Sequence, residues 1–282
     1  MSMEAPAVRR PAVAGYYYPN DPTALAAQVD ALAPGGAART QAAAVLVPHD
    51  SFQRSGAVAG AALSQVTVPR RCIVLGASHT DSWMRWSLMR RGAYRTPLGE
   101  VPIDAACADE LQIRCPFLEA DAWTQRGEHA IEVVLPFLQR LAPPDLAIVP
   151  IIVGSDDREE FRQMAQALAQ VIRLQEERVL LIASSNLSHF EPQTRGAEQD
   201  RMLIDTLCQL DADGLIRSVQ NGDSHMCGYG AAACALEAAR TLGATRGRLI
   251  RYGASVDAGG DPGSVIGYAG IIVEEYPVRR HA

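Results

Sequence analysis

Three of the six histidines lie at or just after the ends of apolar runs that are typical of buried β-strands. The runs AAAVLV, CIVLGAS and VLLIASSNLS lead to His49, His79 and His189. Because ligands of open α/β sheets bind at the carboxyl ends of the strands, we expect these three imidazoles to share one site. Imidazole is a common metal ligand and transfers protons near neutral pH. The alternative for each is a histidine that caps a strand-end carbonyl.

A fourth histidine, His129, opens a predicted helix over residues 129–141, HAIEVVLPFLQRL. Glu132 follows one turn later on the same helix face. The pair resembles half of a carboxylate-bridged metal site, although the chain has no second copy of it. Alternatively, His129 simply pairs with Glu132, or donates a hydrogen bond to an anionic substrate. Pro136 predicts a kink or a local loosening of this helix.

Cys227 stands in HMCGYGAAA, immediately before another predicted helix. The N-terminus of a helix favours the thiolate, which is the form of cysteine that binds metals or attacks electrophiles. Two imidazoles and one anionic ligand would leave open coordination positions on iron, copper or zinc. The alternative is a small buried residue at a turn flanked by glycine.

Strands and helices alternate along the chain without a linker, which predicts one doubly wound α/β domain over residues 1–282. A less regular part, about 81–103, is expected to hold an edge strand. Helices are predicted from Asp21, at about 55–63, 104–114 (with Asp104 as N-cap), 129–141, 195–209 and 212–220, over DREEFRQMAQALAQVIRL, and after Cys227. Strands are predicted up to His49, at about 72–77, and over LAIVPIIVG, RVLLIASSN, RLIRYGASV and SVIGYAGIIVEE.

Composition describes an ordinary globular protein, with 48% hydrophobic and 21% charged residues and a formal net charge of −6. The chain has no cluster of Lys and Arg, which argues against nucleic acid as a partner. No apolar run approaches the length of a membrane span, about 18 residues. The start, MSMEAPAVRRPAV, lacks the apolar core of a signal peptide, and the six cysteines form no CxxC pair. We therefore expect a cytoplasmic protein with reduced thiols.

Nine short motifs, spread in one order over essentially the whole chain, resemble the Memo family. This family is related to the LigB-type class III extradiol dioxygenases. The motifs are RRPAVAGYYYPNDP, LVPHDSF, VLGASHTDS, YRTPLGEVPID, GEHAIEVVLPFLQ, IVPIIVG, ASSNLSHF, HMCGYGA and SVIGYAG.

The resemblance implies a three-layer α/β/α sandwich with a metal site. Its implied metal ligands are His49, His79 and Cys227, with His189 nearby as the acid/base residue and His129 in the same pocket. The related dioxygenases use iron(II) to bind a catecholic diol and dioxygen, which makes iron(II) the expected metal, with copper or zinc as alternatives. Memo relatives have also been associated with copper or iron redox chemistry and with binding phosphotyrosine-like peptides.

Two positions depart from the family's pattern. The family's PHAGY is here PHDSF, with Asp50 beside the first histidine, and its SSD is here SSN, with the neutral Asn186 in place of a carboxylate. We count Asn186 with His189 and His129 as catalytic candidates. The expected function is a dioxygenase-like oxidoreductase that acts on a small aromatic or phenolic substrate. The alternatives are a non-catalytic module that binds a peptide or a small anion, and a zinc-dependent hydrolase.

Overall fold

A computed structural model describes residues 8–36, 38–80 and 84–274 of the chain. The strands are β1 (Val8–Arg9), β2 (Ala42–Val47), β3 (Arg71–Ala77), β4 (Trp86–Leu88), β5 (Ala93–Thr96), β6 (Gly99–Pro102), β7 (Glu119–Ala120), β8 (Ala147–Val153), β9 (Val179–Ser184), β10 (Gly247–Ala254) and β11 (Gly267–Glu274). The helices are α1 (Pro22–Leu32), α2 (Gly56–Leu63), α3 (Ala105–Arg114), α4 (Leu135–Leu141), α5 (Arg158–Leu174), α6 (Gln193–Cys208), α7 (Ala212–Gln220) and α8 (Tyr229–Thr241).

Eight of the described strands form one sheet, in the order β10-β11-β2-β9-β3-β8-β4-β7. Its centre, β2-β9-β3-β8, is parallel, and these strands are almost entirely buried apolar runs, as expected for strands covered on both faces. The register pairs Val47 with Ser184 and Gly76 with Ser184. The carboxyl ends of β2, β9 and β3 therefore meet at one edge of the sheet.

Helices cover both faces of this sheet, and each face has its own apolar core. Along β2, Ala44 and Leu46 join the core that α3, α5, α6, α7 and α8 cover, whereas Val45 and Val47 join the core under α1, α2 and α4. This alternation follows from the two-residue period of a strand. The three-layer α/β/α architecture expected from the sequence is confirmed.

The irregular part of the sequence forms more strand than we predicted. It supplies β4 at the main sheet, and β5 and β6, which join β1 in a second sheet of order β1-β5-β6. Residues 81–83, at the start of that part, lie outside the described residues. The prediction of a helix capped by Asp104 is confirmed, since its carboxylate accepts a hydrogen bond from the Cys107 N–H at 3.1 Å.

The prediction of one helix over residues 129–141 is wrong. A short 3₁₀ turn covers Glu132–Val134, and α4 begins only at Leu135. Pro136 lies in the first turn of α4, where its missing N–H leaves no hydrogen bond unmade. Pro136 therefore starts the helix rather than kinking it, and the segment before it is free to carry site residues.

The longest described helix, α5, has 17 residues and only one apolar face. None of the helices within residues 8–36, 38–80 and 84–274 has the length and hydropathy of a membrane-spanning helix. All six cysteines are unpaired.

Candidate metal centre

Three imidazoles come together at the carboxyl edge of the central strands. Within the described part of the chain, His49, His79 and His129 form a group whose ligand nitrogens all lie within 4.8 Å of one another. Their ring centroids are 4.9 Å apart for His49 and His79 and 4.5 Å apart for His79 and His129. His49 and His79 each follow their strand by two residues, on the two sides of β9. The sequence-based expectation that these two histidines meet is confirmed.

His49 is fully buried, and its neighbours fix which ring nitrogen carries the proton. Ser184 Oγ donates to the Ala130 carbonyl at 2.6 Å, so it must accept from His49 Nδ1, 3.0 Å away. Nε2 is thus the ring atom of His49 that faces the site, and a neutral ring would bind a metal through it. The Cys227 sulfur lies 3.3 Å from this Nε2.

His79 is held by the Glu128 carboxylate. Glu128 Oε1 lies 2.9 Å from His79 Nδ1, and Oε2 accepts the His79 backbone N–H at 2.5 Å. Burial alone would raise the pKa of Glu128, but the hydrogen bond and positive charge of His79 outweigh it and lower that pKa to about 2. Burial lowers the pKa of His79, but its hydrogen bonds with Cys227 and Glu128 outweigh burial and raise that pKa to about 10. Because the carboxylate occupies Nδ1, Nε2 is the atom that a metal ion would bind once it displaces the proton there, and a carboxylate in this position is common behind metal-ligating histidines.

His129 is anchored by Glu128, and not by Glu132 as one sequence-based alternative proposed. Glu128 Oε1 accepts the backbone N–H groups of His129, at 2.8 Å, and Ala130, at 2.9 Å. Burial, together with the nearby positive charge of His49, lowers the pKa of His129 to about 4, so its ring is neutral and able to bind a metal at neutral pH. Glu128 is the functional residue that we missed, although it stands directly before His129 in the motif GEHAIE.

Glu132 has a different task, in a buried network that ties the N-terminal segment to the site. Its fully buried carboxylate pairs with Arg9 and accepts the Ala12 N–H at 2.8 Å, the Val13 N–H at 3.0 Å and the Tyr18 hydroxyl at 2.5 Å. The predicted half of a carboxylate-bridged metal site is therefore not formed by this residue.

Cys227 faces the imidazoles from the turn before α8. Burial disfavours its thiolate, but the charge of His49 and hydrogen bonds with His189, His49 and His79 hold its pKa well below the ordinary value. The close approach needs glycine at Gly228, where φ is +69° and a Cβ would lie 2.8 Å from the Ser184 carbonyl oxygen. The sulfur lies 3.3 Å from His49 Nε2 but is not part of the group whose ligand atoms all lie within 4.8 Å of one another, and the third member of that group is His129. The role of Cys227 as an anionic ligand stays a prediction.

His189 and Asn186 lie in the loop after β9, beside Cys227. Burial lowers the pKa of His189, but its hydrogen bond with Cys227 outweighs this and the net shift is upward; the ring also bonds the Leu187 backbone. Asn186 Oδ1 accepts the His49 N–H at 3.0 Å, and the Asn186 N–H points to the Cys227 sulfur at 3.3 Å. Asn186 therefore contacts both His49 and Cys227, which are the first and the last residues of the site along the chain.

Asp50, the carboxylate that departs from the family's motif, forms its hydrogen bonds with residues other than the histidines. Its Oδ2 accepts the Tyr268 hydroxyl at 2.5 Å, and its Oδ1 accepts the Ser51 N–H at 2.6 Å. The neighbouring loop contributes Tyr17, whose ring meets His129 edge to face with centroids 5.0 Å apart.

An open cavity of about 490 Å³ adjoins the site on the side of Cys227 and His189. Its wall combines apolar and titratable side chains: His189, Phe190, Glu191, Val219, His225, Met226 and Cys227. The arrangement offers nitrogen and sulfur donors for a metal next to a space in which a small organic molecule fits.

The sequence profile of the Memo-like protein family matches residues 9–272, which include every residue of the site. The chain belongs to the Memo-like protein family. A MEMO1 family protein of Methanopyrus kandleri is 34% identical over 277 residues, which cover 94% of this chain and 98% of that protein. Relatives from Methanothermobacter thermautotrophicus and Aquifex aeolicus are 34% and 33% identical over 275 and 266 residues, covering 93% and 94% of this chain and 99% and 98% of theirs.

The Memo-like assignment confirms the resemblance seen in the motifs, and the structure adds a histidine group that could hold a metal ion. The choice of Cys227 as a ligand, and of His189, His129 and Asn186 as catalytic residues, stays a prediction.

Proposed function

We propose that this Memo-like protein is a metal-dependent oxidoreductase of the dioxygenase type, acting on a small aromatic or phenolic substrate. The observation that supports the proposal is the convergence of His49, His79 and His129 at the sheet edge, beside an open cavity. Iron(II) is the metal we propose, and copper and zinc are the alternatives.

The donor set fits a divalent transition metal ion. His49 and His79 both have Nδ1 engaged in hydrogen bonds, so each presents Nε2 to the site. Imidazole suits iron, copper and zinc, and the Cys227 sulfur would add an anionic donor. When bound, iron(II) would supply redox chemistry with dioxygen, which zinc cannot supply.

His189 is the residue that we propose for proton transfer. It lines the cavity, and its raised pKa follows from the Cys227 sulfur beside it, which outweighs burial. In its protonated form the ring can give a proton to an oxygen atom in the cavity, and the neutral ring that remains can take one from a phenolic hydroxyl. The bond to the Leu187 carbonyl fixes the orientation of the ring for this exchange.

The test is anaerobic reconstitution of the full chain with iron(II), followed by metal analysis and oxygen uptake with catechol. We expect about one metal ion per chain and catechol-dependent oxygen consumption. His49→Gln should lose the metal, whereas His189→Gln should keep the metal and lose turnover. A chain that binds no metal after reconstitution would overturn the proposal.

A second candidate, a binding module for a small anion or a peptide, is favoured by Asn186. This amide carries no charge and cannot act as a proton acceptor, and its oxygen is already engaged by the His49 N–H. The module predicts binding of a probe such as phenyl phosphate that is unchanged in His189→Gln, together with no oxygen uptake from any catechol. Turnover that depends on His189 would exclude the module as the main function.

A further inference from the structure

Two residues other than glycine have a left-handed backbone within the described ranges, Phe190 with φ 59° and Leu210 with φ 56°. This conformation is unfavourable for L-residues because Cβ crowds the following carbonyl oxygen. For a bulky side chain it is a true outlier. Such strain persists only where the surrounding structure enforces it.

Leu210 and Phe190 differ in what their side chains gain. Leu210 is 3% exposed and packs in the core between α6 and α7, so burial offsets its strain. Phe190 is 73% exposed, so its large ring gains little from folding. The protein therefore holds an aromatic ring in solvent, on a strained backbone, without a packing benefit.

The loop that carries Phe190 is held on both sides. Before it, the Leu187 N–H donates to the Gly267 carbonyl at 2.8 Å, and the Gly267 N–H donates to the Ser188 carbonyl at 3.0 Å. After it, the Val265 N–H donates to the Glu191 carbonyl at 2.8 Å. These bonds fix the direction in which Phe190 projects, so the exposure of its ring does not result from a flexible loop.

Phe190 projects at the cavity of the metal centre. It lines the cavity of about 490 Å³ together with Met226, Val219 and Cys227. Its ring centroid lies 5.8 Å from that of His189, with the ring planes at 61°. One edge of Phe190 therefore meets the proposed proton-transfer residue, and the rest of the ring is free to meet a ligand.

We propose that Phe190 is a substrate-contacting residue, a platform against which the planar ring of an aromatic substrate packs beside His189. The inference rests on the proposed function and adds the residue that selects for an aromatic ring. Offset or edge-to-face packing of two rings is favourable beyond area burial, whereas a saturated ring of the same size gains only the burial. The thioether of Met226, in the same wall, is also a favourable neighbour for an aromatic ring.

Trp123 provides a matched contrast. It is also 73% exposed, but its backbone is right-handed, with φ −73°, and its ring covers the Arg126 guanidinium at 4.6 Å. Trp123 is not among the cavity-lining residues. A substitution there removes an exposed aromatic side chain of similar kind without touching the proposed platform.

The test compares catechol with cis-1,2-cyclohexanediol by isothermal titration calorimetry, without oxygen, on the full chain both metal-free and loaded with zinc. Zinc prevents oxidation of the ligand. The metal-free measurement tests the role of Phe190 even if the proposed metal chemistry is wrong. We expect wild type to bind catechol roughly two- to tenfold more tightly than the diol. This preference should be lost in Phe190→Ala and kept in Phe190→Trp. Trp123→Ala should keep the wild-type preference.

A second variant separates binding from folding. Phe190→Gly relieves the left-handed strain, so its melting temperature should equal or exceed that of wild type while the preference for catechol is lost. Trp123→Gly should lower the melting temperature. An unchanged preference in Phe190→Ala overturns the proposal, and so does a Phe190→Gly variant that melts lower than Trp123→Gly, since Phe190 would then serve the fold. Loss of oxygen uptake with the ring preference intact would remove the proposed function but not the platform.

Discussion

Glu128 holds His79 at two points, with Oε1 2.9 Å from the ring Nδ1 and Oε2 2.5 Å from the backbone nitrogen. The same carboxylate accepts the His129 N–H at 2.8 Å. One buried side chain therefore sets the positions of two of the three histidines. The site depends on this carboxylate as much as on the imidazoles themselves.

We expect Glu128→Gln to weaken zinc or iron(II) binding by about 10- to 100-fold, the usual effect of removing a carboxylate behind a histidine ligand. The amide has one acceptor oxygen instead of two, and its NH₂ would face the His79 N–H. Competition with a chromophoric chelator measures the affinity. Glu119→Gln, an exposed change in β7, is the control. Equal affinities of the two variants would contradict the assigned role of Glu128.

The sequence predicts those parts of the site that local pattern determines. His49 and His79 follow apolar strand runs directly, and parallel strands bring their carboxyl ends to one edge, so these two histidines could be placed together. Cys227 before α8 is likewise a local signal. The three-layer fold follows from the alternation of strands and helices.

The remaining contacts depend on packing between distant segments. Arg9 reaches Glu132 across 123 residues and binds its carboxylate, a contact that no periodicity reveals. Helical spacing suggested the pair His129 and Glu132, whereas the segment is a loop and a 3₁₀ turn before α4. Glu128, one residue before His129, makes the contact with His129 that helical spacing had predicted for Glu132.

The third ligand can be decided between Cys227 and His129. We expect Cys227, because its thiolate is stabilised by the surrounding imidazoles and lies 3.3 Å from His49 Nε2. In the cobalt(II)-substituted protein, thiolate ligation gives intense near-ultraviolet charge-transfer absorption. The band should be present in wild type and His129→Gln and absent in Cys227→Ser. A wild-type protein that binds cobalt without the band would contradict this prediction and favour three histidines.

Arg9 should be important for stability, since its ion pair with Glu132 is fully buried. Arg9→Met leaves Glu132 as an uncompensated buried charge, for which we expect a loss of about 3–5 kcal/mol in the free energy of unfolding. Urea denaturation measures this loss. Arg140→Met, which removes the exposed pair with Asp30, should have a much smaller effect because water screens that pair. Similar losses of stability in the two variants would show that the ion pair of Arg9 with Glu132 adds little to the free energy of unfolding.

Asp200 should give the stability a pH dependence of unusual sign. It is 1% exposed, and burial raises its pKa above the ordinary 3.8, although it accepts the Ser188 N–H at 2.9 Å and the Tyr252 hydroxyl at 2.7 Å. Between 3.8 and the raised value, the folded state binds more protons than the unfolded state. The contribution of Asp200 is therefore full below 3.8 and is lost as pH rises through the folded-state pKa.

We expect Asp200→Asn to remove this contribution, because an amide cannot titrate and can still accept the Ser188 N–H. Urea unfolding from about pH 3 to about pH 8 measures the slope of stability against pH. The variant should lose less stability than wild type as pH rises, whereas Asp205→Asn, an exposed change on the same helix, should keep the wild-type slope. Parallel slopes for Asp200→Asn and wild type would mean that Asp200 does not titrate differently on folding. Because Ser188 directly precedes His189 and Phe190, the Asp200 carboxylate also holds the loop that faces the cavity. Its protonation state therefore affects both the stability of the protein and this loop.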